Sequence, residues 1–107
     1  MATFTAGDDG SVYAIVASYI DHGVQLIDVS DPSAPVAVGS ASDGSNGFTE
    51  LYGARGVATF TAGDDGSVYA IVASYSDHGV QLIDVSDPSA PVAVGSASDG
   101  SRQTTTL

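Results

Sequence analysis

An all-β fold of consecutive four-stranded antiparallel meanders is predicted by three features of this sequence. These are a near-perfect internal repeat, apolar runs of strand length, and dense turn signals between the runs. The repeat comes first. Ala2-Thr3-Phe4-Thr5-Ala6-Gly7 returns as Ala58-Thr59-Phe60-Thr61-Ala62-Gly63, and residues 2–51 align without a gap on 58–107. The differences are Ile20/Ser76, Asn46/Arg102, Gly47/Gln103, Phe48/Thr104 and Glu50/Thr106, so up to Ser45 and Ser101 only the Ile20/Ser76 pair changes. Such identity implies a very recent duplication, a piece of a longer array, or deliberate assembly.

Each copy holds four strand-like runs. Ala2–Ala6 alternates, with β-branched and aromatic residues, and its second copy follows Arg55-Gly56-Val57. Val12–Tyr19 is almost wholly apolar or small, Val24–Val29 is the third run, and residues 35–42 (Pro-Val-Ala-Val-Gly-Ser-Ala-Ser) are the fourth. Between them lie Gly7-Asp8-Asp9-Gly10, Asp21-His22-Gly23 and Ser30-Asp31-Pro32-Ser33-Ala34, all rich in turn formers. Short Gly/Asp/Pro links join strands antiparallel. No stretch carries an apolar stripe of helical period.

Val12-Tyr13-Ala14-Ile15-Val16-Ala17 does not alternate polar with apolar, so both faces of that strand are expected to be covered. The covering side chains are small, which lets sheets approach closely. Pro35 cannot donate to a ladder and suits a sheet edge. Four-stranded meanders covered on both faces, with one free edge, fit the blades of a β-propeller. The expected division is 2–57 for the first blade with its linker and 58–107 for the second blade with a C-terminal tail.

The run Gly23-Val24-Gln25-Leu26-Ile27-Asp28-Val29-Ser30-Asp31-Pro32-Ser33-Ala34-Pro35-Val36-Ala37-Val38-Gly39, repeated at Gly79–Gly95, resembles the blade motif of LVIVD repeats. The resemblance implies a β-propeller, often on extracellular or cell-surface proteins of microbes, and carries over no catalytic residue. The repeat is longer than the roughly 40–50 residues of ordinary blades. The excess lies mostly in Asp43–Arg55.

Composition excludes several classes of function. The chain has 107 residues, 13 of them acidic against two basic (Arg55 and Arg102), and a net charge of −11. Nucleic-acid binding needs a basic footprint, and charge-driven binding to anionic lipid needs one too. There is no cysteine, hence no disulfide framework and no thiolate metal site. No apolar run is long enough to span a membrane as a helix, and no signal peptide is expected from Met1-Ala2-Thr3-Phe4, which leads into patterned sequence. A mean hydropathy of +0.18 is too apolar for a disordered acidic chain.

The candidate sites are few. Asp8, Asp9, Asp21, Asp28, Asp31 and Asp43 recur in the second copy, but no calcium-loop spacing is present, and they read as turn residues. His22 and His78 read as solvated turn residues rather than metal ligands. No nucleophile elbow, phosphate-binding glycine loop or zinc-hydrolase motif occurs, so no catalytic residue, metal or cofactor is expected. Arg55 precedes an inner strand and is the candidate for a ring of charge at a central channel, where it would hold an anion; the alternative is an ion pair with a neighbouring aspartate. Phe48, Leu51 and Tyr52 form an apolar cluster expected to cap a blade interface.

Two blades cannot close a ring, so the expected partner is the chain itself. A cyclic homotetramer of eight blades is the expected assembly, with trimer and pentamer as alternatives. The expected function is a non-catalytic propeller scaffold or binding module. The alternative is a lectin-like or enzymatic propeller whose site forms at the central channel on assembly.

Overall fold

The computed structural model describes residues 1–6, 10–49, 51–63, 66–74 and 78–98. Asp8, Asp9, Asp64, Asp65, Asp77, Asp99, Glu50 and Arg102 lie outside these residues. The described chain is all-β and holds two four-stranded antiparallel sheets, with no helix among the described residues. The first sheet is β1 (Ala2–Thr5), β2 (Val12–Ser18), β3 (Gly23–Asp28) and β4 (Val36–Ser42). The second is β5 (Ala54–Ala62), β6 (Ser67–Ser74), β7 (Gly79–Asp84) and β8 (Val92–Ser98). In both, strands adjacent in the chain are adjacent in the sheet, which makes each a meander.

The two sheets share one register. In the first, Phe4 faces Tyr13 and Ile15 faces Leu26; in the second, the equivalent Phe60 faces Tyr69 and Ile71 faces Leu82. Both outer pairs slip at the same point, Leu26/Ile27 and Leu82/Ile83, which leaves Val38 and Val94 as bulge residues. The outer strands β4 and β8 follow Pro35 and Pro91 and are sheet edges, where the missing N–H costs no ladder bond.

The pleat gives each sheet two faces. One carries Phe4, Tyr13, Ile15, Val24 and Leu26, and is called here the aromatic face. The other carries Ala14, Val16, Gln25 and Ile27, and is called the glutamine face. The core forms where the aromatic face of the first sheet meets the glutamine face of the second. Phe4, Ile15, Val24 and Leu26 pack in one cluster with Ala70, Val72, Ile83 and Val85. β5 lies against both β1 and β2, and the Thr59 hydroxyl donates to the Thr3 carbonyl at 3.2 Å, so equivalent residues of the two inner strands touch.

This one-sided stacking makes identical residues unequal. Phe4 is 8% exposed and its copy Phe60 is 40% exposed. Ile15 and Leu26 are fully buried while Ile71 and Leu82 are half-buried. On the other face the order reverses: Val72, Gln81, Ile83 and Val85 are buried, whereas Val16, Gln25, Ile27 and Val29 are half-buried. The expectation that both faces of each sheet are covered is therefore met on one face only within a single chain.

Candidate functional site

The segment between the sheets ties them together through side chains of both. Phe48 and Leu51 are buried in the inter-sheet core at 3% and 0% exposure. The Leu51 N–H donates to Asp43 Oδ1 at 3.0 Å, and the Thr49 N–H donates to Gln81 Oε1, also at 3.0 Å. The Gly53 N–H donates to His22 Nδ1 at 2.9 Å, and the His22 ring stacks on Tyr52 with centroids 3.9 Å apart. His22 sits at φ 56°, a left-handed turn conformation in which histidine is enriched.

Two expectations are corrected here. His22 is no solvated turn residue: its ring nitrogen accepts a main-chain hydrogen bond from the linker, and its face is covered by tyrosine. The expected apolar cap consists of Phe48 and Leu51 but not Tyr52, which is 47% exposed and serves as the stacking partner of His22.

Four of the described aspartates, Asp28, Asp31, Asp84 and Asp87, work as turn acceptors. Asp31 Oδ1 accepts the Ser33 N–H and hydroxyl at 3.1 and 2.7 Å, and Asp87 does the same for Ser89 at 3.2 and 2.7 Å. Asp28 and Asp84 each accept a main-chain N–H two residues on, from Ser30 and Ser86. All four are Asx turns, two in Asp-Val-Ser and two in Asp-Pro-Ser. The hydroxyl of Ser33, and then its N–H, stabilise the ionised form of Asp31 and hold its carboxyl below the ordinary aspartate range. Among the described residues no three of His, Cys, Asp and Glu converge on a point where a metal ion would sit.

Arg55 is the extra residue of a bulge at the start of β5, between Ala54 and Gly56. A bulge re-aims its side chain. Arg55 is exposed, and its guanidinium carbon lies 4.6 Å from the ring centroid of Tyr19, in the β2–β3 turn of the first sheet. This is cation–π geometry, a contact not foreseen from sequence.

Two further features lie on the faces of the first sheet. Gly39 on β4 has no room for a side chain, because a Cβ there would collide with the Pro88 carbonyl oxygen and press on Pro91. Pro88, in the β7–β8 turn, is correspondingly buried, while its copy Pro32 is exposed. At Gly95, the copy of Gly39, a Cβ would meet nothing within 4 Å. The second feature is a cavity of about 270 Å³ on the glutamine face of the first sheet, lined by Ser18, Asp21, Gln25, Ser40 and Ser42 among others. Sequence reasoning missed Gln25; the available signal was one polar residue inside the apolar run Val24-Gln25-Leu26-Ile27. Gly39 is one of the small residues expected from sequence to let sheets approach closely.

Repeated four-stranded meanders, stacked face to face and turned by Asp-Pro-Ser loops, define an all-β repeat protein whose sheets are blade-like. The family model for the LVIVD repeat matches residues 12–43 and 68–99, and the chain belongs to that family. No curated protein and no solved structure matches it.

Proposed function

We propose that this chain is a non-catalytic β-propeller scaffold that completes its ring with further copies of itself. The observation that supports this reading is the unequal burial of identical residues. The second sheet leaves Phe60 exposed and Ile71 and Leu82 half-buried; the first leaves Val16, Ile27 and Val29 half-buried. These two surfaces are copies of the two that already pack against each other inside the chain. A second copy therefore meets the first with a fit that the chain itself has tested. The contact is heterologous, head to tail, and such contacts repeat until rotation closes a ring.

Each chain brings two blades, so the ring is even. Typical propellers hold about 4–8 blades. Small residues at the sheet contact, such as Ala17, Gly39 and Ala41, allow thin wedges and favour eight blades from four chains. Static light scattering tests the reading. At 10.6 kDa per chain, a ring of four has a mass of about 42 kDa. A single-chain mass at micromolar concentration would overturn the ring.

A further inference from the structure

We infer that the first sheet carries a docking site for an extended peptide segment with the chemistry of the linker, borne by a partner chain. The segment donates a main-chain N–H to Gln25 Oε1 and adds to the open edge of β2 at Ala17. The inference goes beyond the ring reading and does not rest on it.

The second sheet shows what such a segment does. There the Thr49 N–H donates to Gln81 Oε1 at 3.0 Å, and Gly47 lies so near β8 that a Cβ on it would stand 3.6 Å from the Ala93 Cβ. Gly56 faces Ala73 across the β5–β6 ladder. Under this cover Gln81 is 1% exposed, and Val72 and Ile83 are fully buried. The first sheet has the same residues without the cover. Gln25 Nε2 donates to the Gly39 carbonyl at 2.8 Å, as Gln81 Nε2 does to the Gly95 carbonyl at 3.0 Å, so the two amides are fixed alike. Among the described residues nothing donates to Gln25 Oε1. Val16, Gln25 and Ile27 are half-buried, Ala37 is exposed, and the cavity of about 270 Å³ lies beside Gln25.

The edge of β2 is open at the same place. β1 pairs with β2 only as far as Ile15, whereas β5 pairs with β6 as far as Ser74. The Val12 N–H donates to Ser30 Oγ and its carbonyl accepts the Val29 N–H, so Val12 turns its main chain toward β3. Alternation along the strand turns Ala17 the other way, to the side of β1, where no β1 residue stands opposite it. Its copy Ala73 has Gly56 there. An open strand edge accepts another extended segment through main-chain bonds.

The linker is a self-contained unit for this purpose, because its turns close within residues 43–57. The Gly44 N–H donates to the Phe48 carbonyl, the Phe48 N–H to the Ser45 carbonyl, the Leu51 N–H to Asp43 Oδ1, and the Ala54 N–H to the Leu51 carbonyl. Asn46 and Gly47 hold φ of 52° and 86°, which asparagine and glycine tolerate best. The partner is therefore recognised by Asn-Gly before Phe-Thr, a leucine in the place of Leu51, and a glycine in the place of Gly56. Inside the chain the linker and the first sheet cover the second sheet together. A docked segment and a neighbouring copy can cover the first sheet in the same way.

The probe is a synthetic peptide of residues 43–57 with an N-terminal fluorophore, titrated with the full-length chain and followed by anisotropy. Saturable binding of one peptide per chain is expected. Gln25→Leu keeps the size of the side chain and removes the acceptor, and is expected to weaken binding roughly fivefold, the weight of one hydrogen bond. A peptide with an ester in place of the Phe48–Thr49 amide loses the donor and keeps every side chain. It is expected to lose roughly fivefold more on the unmodified chain than on the Gln25→Leu chain, since only the former has the bond to lose. A Gly56→Pro peptide lacks the N–H that meets Ala17 and is expected to bind more weakly to both chains. Absence of saturable binding overturns the site. So does binding that Gln25→Leu leaves unchanged, because the peptide would then have displaced the chain's own linker from the second sheet. Equal ester losses on the two chains, or indifference to Gly56→Pro, overturn it as well.

Discussion

At the scale of residues, Gly39 and Gly95 have the same neighbours in sequence and different neighbours in space. Gly39 is pressed by Pro88, so Gly39→Ala forces the β7–β8 turn away and is expected to cost about 1–3 kcal/mol in the stability of the chain itself. Gly95 has open space within the chain. Gly95→Ala is expected to leave single-chain stability unchanged or raise it by about 0.4–1 kcal/mol, through the lost freedom of the unfolded chain. In a ring, however, the added methyl meets Pro32 of a second copy, and the mass in solution falls toward that of one chain. Thermal unfolding and light scattering on both variants check the pair; equal behaviour of the two would contradict the ring. Asp31 offers a second test. Its carboxyl is depressed by Ser33, so the stability it contributes is fully present above its unfolded pKa and is lost as pH falls through the lower folded value. A carboxyl NMR titration is expected to place its midpoint below that of an ordinary aspartate, and Ser33→Ala to move it back up.

At the scale of elements, the linker behaves as part of the core rather than as a tether. Leu51 is fully buried between the sheets, so Leu51→Ala removes apolar contact and leaves a cavity at a cost of about 2–5 kcal/mol. That is a large share of the stability of a chain this size. The neighbouring Tyr52→Ala is expected to cost less, because Tyr52 is 47% exposed. Denaturant midpoints of the two variants decide the order. The strands themselves were legible: Ala2–Ala6 is β1 with one residue less, and the run from residue 35 is β4 beginning at Val36. Alternation and Asp/Gly/Pro turns are local signals, and they mark strand ends well. The linker was half legible. Phe48 and Leu51 stood out as apolar residues in a polar stretch. The bonds from Gly53 to His22 and from Thr49 to Gln81 join residues 31 and 32 positions apart, and no local pattern announces them. Which face of each sheet is covered was not legible at all, since both copies carry the same residues and only their place in the stack differs.

At the scale of the whole molecule, the identical registers of the two sheets have a consequence for how the chain reaches its native state. β1 and β5 carry the same Ala-Thr-Phe-Thr core, and each pairs with a strand of the same sequence, Val-Tyr-Ala-Ile-Val-Ala-Ser. Nothing in the side chains tells β2 which of them to accept. β5 is the stronger competitor, with nine residues against four, and it carries Val57 beyond the four shared with β1. The native pairing is therefore selected by loop closure. β1 reaches β2 through a short turn, whereas β5 reaches it only across two intervening strands, and closing the longer loop costs more entropy. That selection weakens when another chain is near, because its β5 strand competes without any loop to close in its own chain. Folding of each chain, ahead of any ring assembly, is expected to be rapid and concentration-independent in dilute solution. At high concentration it is expected to acquire a slow phase from strand-exchanged chains that must come apart again. Stopped-flow traces across a hundredfold range of concentration check this. Breaking the sequence identity of β1 and β5 on one strand is expected to remove the slow phase and leave the fast one.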